Sequence, residues 1–544
     1  MSSSADQVVF SNSVDEQEST VLFQDKKWTS ITDSSSSNGV FSGQLQFDLN
    51  TLSSQNQWTD LSEAYIQFPV KLTLRSNDAI NTVVANAFTA CVKNGFHQFV
   101  DSVQISLGNT TIQSSQIFQN IDTTYKMLTE WSAEEYAKFG PSLGLSLDDY
   151  CPSFTTGDNL DNVAIATLSP AYSGVQLPLS SNPGAKERSR FLNSDASTGA
   201  ATSILSTPAA TGKSRTQFKI TGATTVPEDV FVQFVLATVR LKDVSDVVSK
   251  MPLVKGMKGF IYVNYNASKS DFTSTTAGAV STSAPTSASL FGRCCPANLY
   301  GFTSTDAKPF TFTAEVSGAK SSTLTAATPT FTNARLVAPY YVANPSVDRA
   351  LSMKKKFRYN ERFVTTLTID AEGSYNGTLS PGITNPQRVI LFPYLRGSNS
   401  GTAGLASMST NPLLSPWDSV PATTSPFAAL SNLQITVGGR QTWQSPINMD
   451  YEAFLHESAQ CGLDGSLNSQ TTQSGVLDQR KWNQLHRFYT ADISRRMGSD
   501  DGSSKSIQLS CNNATKAPMS VIADIWYQRE IIIDTALGQV EQVM

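Results

Sequence analysis

Gln104-Ile105-Ser106-Leu107-Gly108 and Gln434-Ile435-Thr436-Val437-Gly438 are one short pattern written twice, preceded by Val103 and Leu433 and followed ten residues later by Ile117 and Ile447. An apolar stripe of period two running into glycine reads as a strand entering a tight turn, because alternate side chains face one core and glycine tolerates positive φ. A second pair of anchors follows in the same order. Asp243-Val244-Ser245 precedes the strand-like Phe260 to Asn266, and Asp492-Ile493-Ser494 precedes Ser506 to Asn512. The first anchors lie 330 positions apart and the second 249, so the first half carries 81 more residues between them. The chain reads as a tandem pair of similar β domains, the first enlarged by insertions.

Composition agrees with two large domains. A chain of 544 residues exceeds one ordinary core. Charged residues make up 16%, low for a soluble protein, and Ser, Thr, Asn and Gln take their place. Neutral polar side chains suit surfaces that will meet neighbours, since burying an amide or hydroxyl costs far less than burying an ion. No apolar run approaches the length of a membrane span. The start, Met1-Ser2-Ser3-Ser4-Ala5-Asp6, lacks the basic and apolar regions of a signal peptide. The six cysteines (91, 151, 294, 295, 461 and 511) are therefore expected to be reduced, Cys294-Cys295 to hold no metal, and the sequons at Asn109, Asn266, Asn376 and Asn513 to go unused. A net charge of −5 and an acidic first 40 residues argue against a nucleic-acid clamp.

Along the chain, residues 1–40 read as a flexible polar arm, 41–350 as the first domain and 351–544 as the second with its tail. Phe41, Leu45, Phe47 and Leu49 mark the first strand, and Ile66, Phe68, Val70, Leu72 and Leu74 a longer one in which Pro69 suggests an edge or bulge. Phe118, Ile121, Tyr125 and Leu128 predict a helix decorating the loop after the first repeat, matched by a shorter one at 447–458. Ser132 and Glu135 suggest a capping box. Residues 140–215 and the Ser/Thr/Ala-rich 268–289 read as exposed loops, as does 397–411. Strands are expected at 217–220, 230–241, 259–265, 309–315, 335–342, 363–369, 388–392 and 521–533, the last apolar enough to be central. Lys354-Lys355-Lys356 with Arg358 reads as a solvated connector. The class is all-β, two sandwiches with few helices.

In this order the signals resemble the double jelly-roll major capsid proteins of polinton-like viruses and virophages. The residues that carry the resemblance are Trp58 to Tyr65, Asp101 to Asn109 and Arg240 to Asp243. In the second half they are Asn385 to Ile390, Leu433 to Gly439, and Ile531 to Asp534 with Gly538. The resemblance implies two eight-stranded jelly rolls side by side and a homotrimer with a pseudo-hexagonal outline. It also implies a place in the icosahedral capsid of a DNA virus, beside neighbouring capsomers, penton and minor capsid proteins. The insertions at 140–215 and 268–310 would form the outer crown.

Recognisable catalytic chemistry is absent from the sequence. The three histidines, at 97, 456 and 486, fall at no metal-ligand spacing. Gly212-Lys213-Ser214 imitates the end of a phosphate loop without its first glycine, and the pairs Asp148-Asp149, Glu134-Glu135 and Asp500-Asp501 read as solvated. The expectation is a structural subunit with no catalytic, cofactor-binding or metal-binding residues and no cofactor. The rivals are a glycan- or receptor-binding β-sandwich spike, for which Trp417, Trp443 and Trp482 would have to be exposed rather than core, and a polysaccharide hydrolase.

Overall fold

The computed structural model describes residues 22–36, 38–53, 57–79, 89–148, 227–273, 285–300, 308–324, 331–396, 428–460, 476–494, 502–515 and 518–543, with short pieces between 184 and 218 and at 327–329, 413–414 and 416. The architecture is mostly β, built of antiparallel sheets in a jelly-roll-like topology.

The two copies of the repeat occupy matching strands. Val100–Leu107 lies in a four-stranded sheet ordered Gln44–Asp48, Gly259–Tyr265, Val100–Leu107, Thr110–Gln113, and Leu430–Val437 lies in one ordered Ser374–Ile383, Lys505–Asn513, Leu430–Val437, Arg440–Gln441. Ile105 sits opposite Ile261 and Ile435 opposite Leu509, all fully buried. At the turn, Gly108 (φ 58°) donates its N–H to Lys258 O at 2.8 Å, and Gly438 (φ 55°) donates to Ser506 O at 2.9 Å. Ser106 pairs with Phe260 and Thr436 with Gln508, so the second anchors align two residues away from the sequence expectation. A shift of two leaves every side chain on its own face.

A second sheet covers each of these. In the first half Phe23–Thr32, Arg335–Ala343, Tyr65–Ser76 and Glu228–Arg240 are successive neighbours, and in the second Lys354–Ile369, Met519–Asp534, Pro386–Leu395 and Tyr489–Asp492. Leu45, Phe47, Ile105 and Val263 of one sheet share a core with Phe68, Leu72 and Phe312 of the other. As expected, Met519–Asp534 is central and almost wholly buried to Trp526.

Four expectations need correction. Phe23–Thr32, placed in the flexible arm, is a sheet strand; it pairs on one side with Arg335–Ala343, and its solvated outer face explains its polar sequence. Ser268–Ser289, expected as a loop, contributes the strands Ala267–Thr273 and Pro285–Phe291, which extend the sheet beyond Pro309–Val316. Ser268, Ser270 and Phe272 alternate inward there, and serine hydroxyls small enough to bury hid the period. Lys354-Lys355-Lys356 is strand rather than connector, with Lys356 and Arg358 on Glu530 and Lys354 on Glu541. Pro69 is interior, not at an edge. Its carbonyl accepts from Ser317 N, so its nitrogen points at the gap where the Arg335–Ala343 pairing stops at Gln67 and that of Pro309–Val316 begins at Val70. No ladder bond is lost there.

Gly259 (φ 143°) brings backbone against backbone: a Cβ there would lie 2.0 Å from Ser106 O, whereas one on Gly108 would meet nothing within 4 Å. Gly108→Ala is therefore expected to cost about 1 kcal/mol from the left-handed backbone alone. Gly259→Ala should cost about 3 kcal/mol or more from steric overlap. Guanidinium unfolding of the two variants checks the order.

Candidate functional site

The helix Gln119–Thr129 follows the first repeat, and all eleven of its residues are buried. It does not decorate a loop. Phe118, Ile121, Tyr125 and Leu128 sit at the helical spacing the sequence showed, yet they pack into the core of the second half, with Phe392, Phe488 and Trp526. Tyr125 meets Phe488 and Phe392 edge-on at 5.4 and 6.0 Å and shares a 2.9 Å hydrogen bond with Thr490. Its other side faces the first half, where Asn120 donates to Gln98 Oε1 (2.9 Å) and Thr124 Oγ1 lies 2.7 Å from His97 Nε2. The helix is the joint between the halves. Its counterpart, Tyr451–Gln460, lies where duplication places it, and Ser132 caps the following helix by accepting from Glu135 N at 3.1 Å, while the Glu135 carboxylate turns to Arg240 rather than closing a capping box.

Charge is concentrated at this joint. Arg362, 7% exposed, donates from Nε to Asp524 Oδ2 at 2.7 Å and from Nη1 to Gln119 Oε1 at 2.7 Å, and its Nε lies 3.7 Å from Asp122 Oδ1. Lys126 reaches Asp122 Oδ2 at 3.2 Å with its ammonium 4.5 Å from the Trp526 ring centre, and the Arg388 guanidinium lies 3.9 Å from the ring of the same indole. A second polar contact lies alongside, where Ser114 N donates to Glu361 Oε1 (2.9 Å) and Arg529 pairs with Oε2 (2.5 Å). Between them is a cavity of about 20 Å³, room for a water molecule, bordered by Gln116, Lys126, Asp246, Tyr359 and Trp526.

The sequence reading missed this cluster. The signal was present: Asp524 interrupts the apolar run Val521-Ile522-Ala523 and Ile525-Trp526, which a central strand tolerates only when the charge is paired.

The other singled-out residues scatter. His97 and His486 are buried and His456 is exposed. Cys91, Cys294, Cys295 and Cys511 are buried and form no disulfide, and burial pushes the Cys294 and Cys511 thiols up to about 12. Asp148 is not solvated but buried against Arg188 at 2.5 Å, because Arg188, from the insertion, folds back onto it. Glu134 pairs with Lys138 on the surface, and Glu135 with Arg240. Asn266 and Asn513 are buried, while Asn109 and Asn376 are exposed. Trp482 is core, stacked on Phe454 at 5.5 Å, and Trp443 is half-buried and donates to Glu457. Trp417, Cys151, Cys461, Gly212 to Ser214, Asp149, Asp500, Asp501 and the loop at 397–411 lie outside the described residues, as does most of 140–215. Among the described residues no group of three or more His, Cys, Asp or Glu is gathered as a metal would need, and no helix is long and apolar enough to cross a membrane.

No protein-family model and no curated protein matches the sequence. Solved structures do. The chain superposes on one from the cryo-EM structure of the Sputnik virophage with a TM-score of 0.51 and 10% identity, over 96% of this chain and 89% of that one. It shares its fold with a virophage protein. The mavirus major capsid protein gives 0.48 at 10% identity (95% and 90% covered), and the Faustovirus major capsid protein 0.44 at 9% (97% and 94%).

Removing Arg362 strands the buried Asp524 and leaves Asp122 to Lys126, whereas Arg358, with its side chain 65% exposed, pairs with Glu530 in water. Arg362→Met is expected to cost about 3–5 kcal/mol and Arg358→Ala under about 1 kcal/mol, read from guanidinium midpoints. Burial also holds His97 to about 3 and His486 to about 4, below the ordinary 6.5. Each histidine takes up a proton on unfolding below about pH 6.5, so its contribution to stability is present above that pH and is lost as the pH falls. His97→Gln should lower the pH slope of stability by about one proton between pH 5 and 6.

Proposed function

We propose that this chain is a major capsid protein, two jelly rolls in tandem that trimerise into a pseudo-hexagonal capsomer of an icosahedral DNA virus. One observation carries the reading. Numbering in chain order the eight strands that have a counterpart in the other half, the neighbours run 1-8-3-6 in one sheet and 2-7-4-5 in the other, in both halves, while the first half adds Pro309–Val316, Ala267–Thr273 and Pro285–Phe291 to its sheet. That is the strand order of a jelly roll, the same in each half, and a duplicated sandwich gives each subunit two similar lobes. Three such subunits about a threefold axis present six lobes, the footprint that tiles a shell. The likeness to the Sputnik virophage chain supports the same reading.

The role is geometric rather than catalytic. Rigid sandwiches set the spacing, the joint helix fixes the lobes to each other, and the neutral polar surface packs against other copies, neighbouring capsomers, and penton and minor capsid proteins. The protein would work in the virion, with the insertion at 140–215 crowning the outer face. We divide it near 350, at the helix Pro345–Leu351 between the last strand of one half and the first of the next.

Light scattering on the purified chain, with negative-stain images of the same peak, tests this. A mass of three chains with a six-sided outline is expected. A monomer at every concentration and salt would contradict it.

A further inference from the structure

Two carboxylates meet one guanidinium at the joint, and each has an oxygen left over. Asp122 commits Oδ2 to Gln119 Nε2 (3.1 Å) and Lys126 Nζ (3.2 Å), and Asp524 commits Oδ2 to Arg362. The Oδ1 atom of each is buried and accepts no hydrogen bond, and both residues are 0% exposed. Both carboxylates approach the same Arg362 Nε, at 3.7 and 2.7 Å. A bare carboxylate oxygen away from water is costly, whereas a protonated carboxyl can donate to its neighbour.

We propose that the pair Asp122 and Asp524 takes up a single proton in mildly acidic surroundings, carried by Asp524, making the joint between the two halves a pH-responsive contact that is tighter below neutral pH than it would be with both groups ionised. Two like charges converging on one cation in a dry site do not both ionise easily.

The surrounding charges are nearly balanced. Lys126 and Glu130 face the pair from the joint helix, Arg362 from Lys354–Ile369, and Arg388 from Pro386–Leu395, 3.8 Å from Glu130. Glu361 is turned away to Ser114 and Arg529, Asp246 at the cavity is held by Lys250 and Asn360 N, and Tyr489–Asp492 offers the neutral Thr490 to Tyr125. Burial, with the Asp122 charge, outweighs Arg362 and pushes Asp524 up to about 6. Asp122 moves the other way, burial being outweighed by Arg362, Lys126 and Arg388. The two titrate as a unit. Because the folded value of Asp524 lies above its ordinary 3.8, its contribution to stability is gained as pH falls through about 6 and lost as pH rises. This opposes the two buried histidines. The proton concerns the joint itself and holds whatever the chain assembles into.

The pH slope of the unfolding free energy, measured in guanidinium between about pH 5 and 6, counts the protons exchanged on unfolding. In wild type, Asp524 should cancel about one of the protons the histidines take up. Asp524→Asn should therefore steepen the slope by about one proton, and equal slopes would overturn the proposal. Should that variant not fold, infrared spectra of wild type at about pH 5.5 decide. A carbonyl stretch from a water-shielded protonated carboxyl is expected, and its absence would overturn the proposal.

Discussion

Arg362 held between Asp122 and Asp524 is the constraint on which the arrangement of the two halves depends. The guanidinium comes from the opening strand of the second half, one carboxylate from its central strand, and the other from a helix that belongs in sequence to the first half. Buried ion pairs add less stability than apolar packing of equal volume, but breaking one leaves an uncompensated charge. Any rotation of the halves that separates Asp122 from Arg362 is penalised.

The helix itself follows from that position. An ordinary surface helix has one apolar stripe, and Gln119–Thr129 has two working faces. Ile121, Tyr125 and Leu128 enter the second core, while Asn120 and Thr124 bond the turn around His97 and Gln98 in the first. Asp122 and Lys126, one turn apart, carry the charge. The helix shares the joining of the halves with strands of the second half, since Tyr359, Ile531 and Ile533 enter the first core and Tyr359 donates its hydroxyl to Ile112 O.

Much of the fold was legible in the sequence because alternation and glycine turns are local. Val103, Ile105 and Leu107 announced one strand, Leu433 and Ile435 its copy, and the central strand at 521–533 declared itself by the apolar residues on both sides of Asp524. What sequence reasoning lost was non-local. Ser268 and Ser270 are buried by a neighbouring strand rather than by their own hydrophobicity, and the polar Phe23–Thr32 is a strand because Arg335–Ala343 offers it a ladder of hydrogen bonds. Asp148 looked solvated until Arg188, forty residues away, closed on it. The ion cluster was hidden for the same reason, since its members lie at 122, 126, 362, 388 and 524, and only the misplaced-looking Asp524 hinted at it.

Native-state hydrogen exchange on the full chain tests the joint most directly. If the helix is locked by Arg362 into the second core, the amides of Gln119–Thr129 exchange at the same free energy as those of Met519–Asp534, and both speed up together in Arg362→Met. Helix amides that exchange with the first-half strands alone, at a rate indifferent to Arg362, would contradict the account.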